Sequence, residues 1–181
     1  MIQPLALPYP RFKIEDGDIK AEGLVSINSP TPLPTDRRIP EENFGKILKL
    51  TFDDIPYTTL VKNGVILIGP TREDVENAIA FGLGIRKLYP QDTTILAVHC
   101  FAGKSRSAAI ALAINLAINP TQIEEVISSL LQYDPNSQMC FNPRIIALAD
   151  EILQTGGNID KQLHKLCPPY RSWKRYWENK A

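Results

Sequence analysis

The sequence predicts an α/β fold with a central, mostly parallel sheet of about four to five strands flanked by helices. Residues 93–98 are a β-branched, apolar run typical of a buried strand, and residues 108–118 are a small-residue, apolar run typical of a buried helix. Residues 23–28 and 46–52 have the composition or the alternation of two further strands. We therefore expect strands alternating with helices, and a functional loop between the strand at 93–98 and the helix that follows it.

Size and composition favour one domain over residues 1–181, because 181 residues can bury a sizeable core without disulfides. The 20 basic and 20 acidic residues cancel, so bulk charge favours neither a nucleic-acid nor a membrane partner. The longest nearly uncharged apolar run is too short to span a bilayer. Three cysteines without an N-terminal signal sequence fit a reducing cytoplasm, and we expect a cytoplasmic monomer.

The first 40 residues contain seven of the 15 prolines. Proline breaks helices and is confined to the edges of sheets, so this segment, including residues 1–22, is expected to be irregular and to lie over the domain surface. Residues 23–28 are the exception and predict a core strand. The loop 29–40 carries Asp36, Arg37 and Arg38, which either contact a substrate at the rim of the site or are simply solvated.

Two carboxylates follow the next strand. Residues 46–52 alternate polar and apolar side chains, as a half-buried strand does, and Asp53 and Asp54 come directly after them. Open α/β sheets bind ligands at the edge formed by the carboxyl ends of their strands. One of these aspartates is therefore a candidate general acid, and a pair of solvated turn residues is the alternative.

Residues 57–70 form an inserted segment before the next helix. Residues 64–69 predict an extra strand that pairs with residues 58–61 across the Asn63-Gly64 turn. Thr71 and Asp74 predict a capping box that opens a helix. We expect the buried face of that helix to consist of Val75, Ala78, Ile79 and Leu83. Close packing on the sheet would explain its two glycines, Gly82 and Gly84.

The loop after residue 98 contains a cysteine and an arginine separated by five residues. An arch of this length whose backbone N–H groups turn inward forms a bowl the size of one tetrahedral oxyanion. The following helix directs its positive end into the same bowl. A thiol at the floor of the bowl lies in an electropositive field that favours the thiolate. Cys100 is therefore predicted to be a nucleophile aimed at a bound phosphate.

Other residues of the loop fit the same chemistry. The planar guanidinium of Arg106 matches two phosphate oxygens at once. Gly103 allows a positive φ and a close approach of backbone to ligand. Ser107 can donate a hydrogen bond to the Cys100 sulfur, and His99 is expected to hold the loop shape and to help keep the thiol ionised. The phosphate-binding groups would be the Arg106 side chain and the N–H groups of Phe101, Ala102, Gly103, Lys104, Ser105 and Arg106.

The segment His99-Cys100, five residues, Arg106-Ser107 resembles the signature loop of the cysteine-dependent protein tyrosine phosphatases. Residues 102–107 are most similar to the dual-specificity branch and its small bacterial relatives. The resemblance implies hydrolysis of phosphomonoesters through a cysteinyl-phosphate intermediate, without a metal or another cofactor. The substrate would be protein phosphotyrosine, with dual specificity or a small phosphomonoester left open.

The resemblance also implies an aspartate general acid after the strand that precedes the helix before the loop. Asp53 and Asp54 lie at that place. We assign the acid to Asp54, with Asp53 as the alternative, because Asp54 borders the Ile55-Pro56 turn that would fix its direction. The spacing from Asp54 to Cys100 is longer than in the dual-specificity pattern, since residues 57–70 are inserted.

Two other classes of function use the same loop. One is a catalytically weak phosphate-binding module, which would lack a carboxylate over the bound phosphate. The other is a thiolate-based redox or sulfur-transfer enzyme, which needs a second reactive cysteine. Cys140 and Cys167 are too distant in sequence to argue for one, and they are interpreted as structural or incidental, like His164. A buried structural cysteine at position 100 would have no use for Arg106.

The C-terminal part predicts further helices. Residues 121–124 have the pattern of a capping box, and Asn142 followed by Pro143 is typical of a helix start. Gly156-Gly157 is expected to close that second helix, and the region of Asn142 could approach the active site. Residues 158–181 are expected to pack on the domain as a tail. In this tail, Tyr170, Trp173 and Trp177 share a helical face that is expected to pack on the domain with the basic residues outward, and the alternative is that the basic and aromatic residues bind a nucleic acid or an acidic partner.

Overall fold

A computed structural model describes residues 2–31 and 39–180 of the chain. Asp36, Arg37 and Arg38 lie outside the described residues. The strands and helices, in chain order, are β1 (Ala6–Pro10), α1 (Arg11–Glu15), β2 (Ala21–Asn28), β3 (Phe44–Thr51), β4 (Thr59–Lys62), β5 (Val65–Ile68), α2 (Arg72–Leu88), β6 (Leu96–Cys100), α3 (Arg106–Ile118), α4 (Ile123–Leu131), α5 (Pro143–Ile152), α6 (Asn158–Leu166) and α7 (Pro168–Glu178).

The central sheet has four parallel strands in the order β1-β6-β2-β3. This confirms the predicted α/β fold. Strand β6 lies inside the sheet with all five of its residues buried, so the loop that follows it leaves the middle of the sheet. The register pairs Ser26 with His99 and Asn28 with Thr51. The parallel strands therefore bring Asn28, Phe52 and Cys100 to one edge of the sheet.

The expectation of an irregular N-terminal segment is wrong for residues 6–15, which form β1 and α1. Strand β1 lies at the edge of the sheet, where its prolines are tolerated. Asn115 of α3 holds this strand. Its Oδ1 accepts a hydrogen bond from the Ala6 N–H at 3.0 Å, and its Nδ2 donates to the Ala6 carbonyl at 2.8 Å. A buried side chain distant in sequence thus satisfies the backbone of the edge strand.

Helix α3 is buried from Arg106 to Leu116 and forms the middle of the core. Helix α2 packs against it at Gly82, where an added Cβ would come within 2.3 Å of Ile114. The Thr71 capping box of α2 is present as predicted. The expected buried face is wrong at Leu83, which is 43 % exposed, and Gly84 faces open space. Because Gly82 faces α3, Leu83 and Gly84 lie on other sides of the helix, toward solvent.

Strands β4 and β5 form a separate antiparallel hairpin, which confirms the predicted pairing across Asn63 and Gly64. Both turn residues have positive φ, at 51° and 77°, as a tight two-residue hairpin turn requires. The hairpin is joined to the end of β3 by a hydrogen bond of 2.6 Å from the Asp53 N–H to the Ile68 carbonyl. It therefore lies beside the edge at which the parallel strands end.

The C-terminal helices follow the predictions in part. Asn142 caps α5 through its side chain, as expected. Helix α4 has no side-chain cap, so the predicted capping box at residues 121–124 is wrong. Gly157, with a φ of 81°, precedes α6 and does not close α5, which ends at Ile152. In the part of the chain that the structure describes, no helix combines the length and the apolar character needed to cross a bilayer.

Candidate active site

The loop between β6 and α3 is held from outside by its carbonyl groups. The Phe101 carbonyl accepts a hydrogen bond from the Arg11 N–H at 3.1 Å. The Lys104 carbonyl accepts one from the Cys140 N–H at 2.9 Å, and the Ser105 carbonyl accepts one from the Asn142 N–H at 3.2 Å. Within the described residues, no N–H group of residues 102–105 donates to a protein acceptor. Three loop carbonyls are therefore occupied by external donors while the N–H groups of residues 102–105 are available, which suits the binding of an anion.

Cys100 lies beneath this loop and is only 3 % exposed. Its Sγ is 3.2 Å from the Oγ of Ser107, in the first turn of α3. Ser107 is fully buried, so its hydroxyl has little choice of partner. The structure thus brings together the sulfur and the hydroxyl predicted to stabilise it.

Arg106 is buried and is held on one side of its guanidinium. Its Nη1 donates to the Phe52 carbonyl at 2.8 Å and to the Ser29 hydroxyl at 3.2 Å. Its Nε is buried and has no hydrogen-bond partner among the described residues. An unpaired buried charged donor is costly, and an oxyanion would satisfy it. A cavity of about 250 Å³ is lined by Arg106 together with Phe101, Ser29, Thr31 and Arg11.

His99 is fully buried, and its Nε2 lies 2.8 Å from the Ser26 hydroxyl on the neighbouring strand. Burial, and next the positive charge of Arg11, lower the pKa of His99 from 6.5 to about 4. The imidazole is therefore neutral at neutral pH. A neutral ring adds no positive charge beside Cys100, which removes the electrostatic reason for expecting His99 to help keep the thiol ionised. Its contact with Ser26 fits the other expected role, which is to hold the end of β6.

The two adjacent aspartates have different partners. The Oδ1 of Asp54 accepts hydrogen bonds from the Ser105 hydroxyl at 2.7 Å and from the Asn142 side chain at 2.8 Å. The Oδ2 of Asp53 accepts one from the Ile68 N–H at 2.9 Å. Asp54 therefore lies at the loop, whereas Asp53 is bound to the hairpin.

Gly103 is required by packing behind the loop. It has a φ of 74°, and an added Cβ would come within 2.5 Å of the Pro10 nitrogen and 2.7 Å of the Tyr9 carbonyl carbon. The close approach is thus to the backbone of β1, whereas an approach to the ligand was expected from the sequence. Phe101, Ala102 and Lys104 are exposed at the rim.

Sequence reasoning missed how close Cys140 lies to the loop. Its Sγ is 3.8 Å from the Lys104 carbonyl oxygen. Burial raises the pKa of Cys140 to about 12, with a smaller contribution from the charge of Asp54, so this thiol stays protonated. The long sequence separation from Cys100 conceals this contact, although the nearby Asn142 cap is visible in the sequence. Among residues 2–31 and 39–180, no group of three or more His, Cys, Asp or Glu side chains could hold a metal ion.

No protein-family model matches the sequence, and a comparison with curated proteins finds no match. Solved structures do match over most of the chain. Human tyrosine phosphatase-like serine/threonine/tyrosine-interacting protein is 15 % identical with a TM-score of 0.63, over 86 % of this chain and 95 % of that one. Human DUSP28 is 13 % identical with a TM-score of 0.58, over 87 % and 96 %. PTPMT1 in complex with PI(5)P is 21 % identical with a TM-score of 0.51, over 83 % and 88 %.

At sequence identities this low, the structural matches show the fold alone. The activity is therefore argued from the residues of the site. The first of these proteins is described as tyrosine phosphatase-like, and the matching structures have the fold of the dual-specificity and related tyrosine phosphatases. In this chain the four-stranded parallel sheet has that fold, with Cys100 at the end of its inner strand β6 and before α3. The chain therefore has the fold of the cysteine-dependent protein tyrosine phosphatases.

Proposed function

We propose that the protein is a phosphatase that hydrolyses phosphomonoesters, with protein phosphotyrosine as its substrate, through a cysteinyl-phosphate intermediate. The observation that carries this proposal is the position of the Cys100 sulfur. It is buried beneath the loop, next to Arg106, and within residues 2–31 and 39–180 neither the N–H groups of residues 102–105 nor the Arg106 Nε has a hydrogen-bond partner. A phosphate bound there would satisfy these donors and place its phosphorus above the sulfur.

In the first step, the Cys100 thiolate attacks phosphorus in line with the leaving oxygen. The S–P bond forms and the P–O bond to the leaving group breaks. Arg106 and the loop N–H groups bind the equatorial oxygens and stabilise them as charge redistributes in the transition state. Asp54 donates a proton to the leaving oxygen, for which its position beside Ser105 is suitable.

In the second step, water hydrolyses the cysteinyl-phosphate. Asp54, now a carboxylate, takes a proton from the water as its oxygen attacks phosphorus. The S–P bond breaks, and the sulfur leaves with its electron pair. Ser107 stabilises the departing thiolate through the 3.2 Å contact between its hydroxyl and the sulfur. Inorganic phosphate is released and the thiolate is regenerated.

The depth of the sulfur supports phosphotyrosine as the substrate. Cys100 is 3 % exposed, so the phosphate must reach below the rim formed by Phe101 and Lys104. A phosphotyrosine side chain holds its phosphate farther from the peptide backbone than phosphoserine or phosphothreonine does. Phosphotyrosine peptides are therefore expected to have a higher kcat/KM than the matched phosphoserine peptides.

The test uses an aryl phosphate and two cysteine variants. Cys100→Ser is expected to abolish hydrolysis, because a serine hydroxyl in this environment is a far weaker nucleophile than a thiolate. Cys140→Ser is the matched control, since it changes a partly buried, protonated thiol beside the same loop and should keep wild-type activity. Full activity in Cys100→Ser would overturn the proposal. A wild-type protein that binds inorganic phosphate without turnover would instead be a phosphate-binding module.

A further inference from the structure

The β4–β5 hairpin exposes an aliphatic face that the proposed phosphatase mechanism does not use. Val61, Ile66 and Ile68 are 69 %, 65 % and 47 % exposed, and Val61 pairs with Ile66 across the two strands. These side chains lie on the outer face of the hairpin, because Leu60 and Leu67 point to the opposite face. Exposed aliphatic side chains that share one face indicate a surface that binds a protein or a membrane.

The hairpin is fixed to the domain, so this face does not fold back onto the protein. Tyr57 precedes β4 and donates a hydrogen bond from its hydroxyl to the Trp177 carbonyl at 3.2 Å. The two rings meet edge to face with centroids 6.2 Å apart. The Asp53 carboxylate accepts from the Ile68 N–H at the same, open end of the hairpin, where Thr59 pairs with Ile68. These contacts fix the open end of the hairpin beside α7 and the end of β3, and the side chains of its outer face are exposed.

Helix α7 adds an aromatic cluster next to the hairpin. Trp173 stacks on Tyr176 with centroids 5.4 Å apart, and Trp177 meets both rings edge to face. Both indole nitrogens are buried and have no hydrogen-bond partner among the described residues. Tyr176 is 43 % exposed, and tyrosine is favoured at membrane–water interfaces, where the ring is in an apolar layer and the hydroxyl meets water.

The outer part of this region is positively charged. The Lys180 ammonium lies 4.7 Å from the centre of the Tyr176 ring. Hydrogen bonding from Lys180, together with the charges of Lys180 and Lys62, lowers the pKa of the Tyr176 hydroxyl. The acidic residues that line the cavity of about 480 Å³ between hairpin and helix are Asp53 and Asp54. Both are hydrogen-bonded to the protein. Lys62 lies on the face of the hairpin opposite Val61 and Ile66, so that when the aliphatic face enters an apolar layer, Lys62 and Lys180 are left to meet anionic groups above it.

We propose that the outer face of β4–β5 and the adjoining face of α7, here called the hairpin–helix surface, bind the interface of an anionic lipid bilayer. A bilayer supplies each required partner: acyl chains for Val61, Ile66 and Ile68, the interfacial layer for the aromatic rings, and anionic headgroups for the lysines. The zero net charge of the chain conceals this local arrangement, and for that reason the sequence analysis expected no membrane partner. Asp54 lines the same region, so the candidate active site would lie beside the membrane.

The first experiment measures binding of the full chain to lipid vesicles by co-sedimentation and by tryptophan fluorescence. Vesicles of phosphatidylcholine alone are compared with vesicles that also contain phosphatidylserine. The chain has two tryptophans, and both are in α7, so their emission reports on this surface. We expect binding to the anionic vesicles with a blue shift of the emission, and weaker binding at high salt. Binding to neither vesicle would overturn the proposal.

Variants then locate the surface. The double substitution Val61→Ser and Ile66→Ser is expected to weaken binding by more than about tenfold, because it removes two aliphatic side chains from the lipid contact. Lys62→Gln is expected to weaken binding by about fivefold. The matched control is Leu83→Ser with Leu88→Ser, which changes two exposed aliphatic residues of α2 and should bind as wild type does.

Three results would contradict the proposal. The control could lose binding as much as the hairpin variant does, or the hairpin variant could bind as wild type does, so that another surface is responsible. The third result is a concentration-dependent dimer in sedimentation, lost in the hairpin variant and without vesicle binding, because a second copy would then cover this face. None of these measurements requires turnover, so they are independent of the proposed phosphatase activity.

Discussion

Asp53 and Asp54 are neighbours in the sequence, but their carboxylates make contacts that predict different roles. Asp54 is hydrogen-bonded to Ser105 of the loop and to Asn142, which caps α5. Asp53 accepts a hydrogen bond from the backbone of the hairpin. A proton donor must reach the leaving oxygen of a phosphate bound in the loop, and the contact of Asp54 with Ser105 supports it as the proposed donor.

Asp54→Asn is therefore expected to lower kcat for an aryl phosphate by about 10²-fold to 10⁴-fold, because the amide cannot donate the proton that the leaving group needs. Asp53→Asn should leave kcat within a few-fold of wild type, since the amide oxygen can still accept from the Ile68 N–H. The measurement is steady-state kinetics of both variants at several pH values. A larger loss of kcat in Asp53→Asn than in Asp54→Asn would indicate that Asp53 is the general acid.

The candidate site residues that lie close together in the sequence could be proposed from it, whereas the groups that hydrogen-bond to them from other strands could not. The spacing of Cys100, Arg106 and Ser107 is visible in one short segment. The groups that hold Arg106, which are the Phe52 carbonyl and the Ser29 hydroxyl, come from the ends of two other strands. No pattern within a segment reveals such contacts, because they depend on the order and register of the strands in the sheet.

Among the elements, helix α2 shows how two glycines of one helix can have opposite effects. Gly82 lies against α3, and a Cβ there would be 2.3 Å from Ile114. Gly84 is exposed and has no atom within 4 Å of such a Cβ. Periodicity predicted the helix, but it could not say which glycine faces its neighbour.

Gly82→Ala is expected to destabilise the protein by about 1–3 kcal/mol, because the added methyl group overpacks the contact between α2 and α3. Gly84→Ala is expected to stabilise it by about 0.5–1 kcal/mol, since alanine has the higher helix propensity and meets nothing. Urea unfolding at neutral pH measures both changes as shifts of the midpoint at constant slope. Equal effects of the two substitutions would contradict the close approach at Gly82.

The elements that the sequence predicted well are those with local signals. The Asn63-Gly64 turn, the Thr71 capping box and the Asn142 cap each need only a few neighbouring residues, and all three are present. Strand β1 was missed because its proline content argues against a strand. What stabilises it is Asn115, which lies far along the chain and binds both backbone groups of Ala6.

Across the whole molecule, a chain of polar contacts runs through the sheet behind the candidate active site. The Arg11 Nη1 donates to the Asn28 side chain at 2.8 Å, and the Asn28 Nδ2 donates to the Ser26 hydroxyl at 3.2 Å. Ser26 in turn lies 2.8 Å from His99. These contacts connect the start of α1 with β2 and β6. The network places a positive charge near His99, which together with burial keeps the imidazole neutral.

A neutral buried histidine makes the stability of the whole fold depend on pH. The pKa of His99 is about 4 in the folded protein, and that of an unfolded histidine is about 6.5. Between these values the unfolded chain binds one proton more than the folded protein at this position, so stability falls as the pH falls from 6.5 to 4. Above pH 6.5 both states are neutral there and the effect vanishes. The shift corresponds to a loss on the order of 3 kcal/mol.

His99→Gln is expected to remove this contribution to the loss of folding stability at low pH, because glutamine can hydrogen-bond to Ser26 and does not titrate. The free energy of unfolding of wild type and variant is measured in urea at pH 7, 5.5 and 4.5. The contribution of His99 is the difference between the two dependences on pH, because the contributions of the carboxylates are common to both proteins and cancel. The chain has one other histidine, and His164→Gln controls for the loss of a histidine as such. Parallel slopes for wild type and His99→Gln would mean that the ring accepts a proton without penalty, which is incompatible with its burial between β2 and β6.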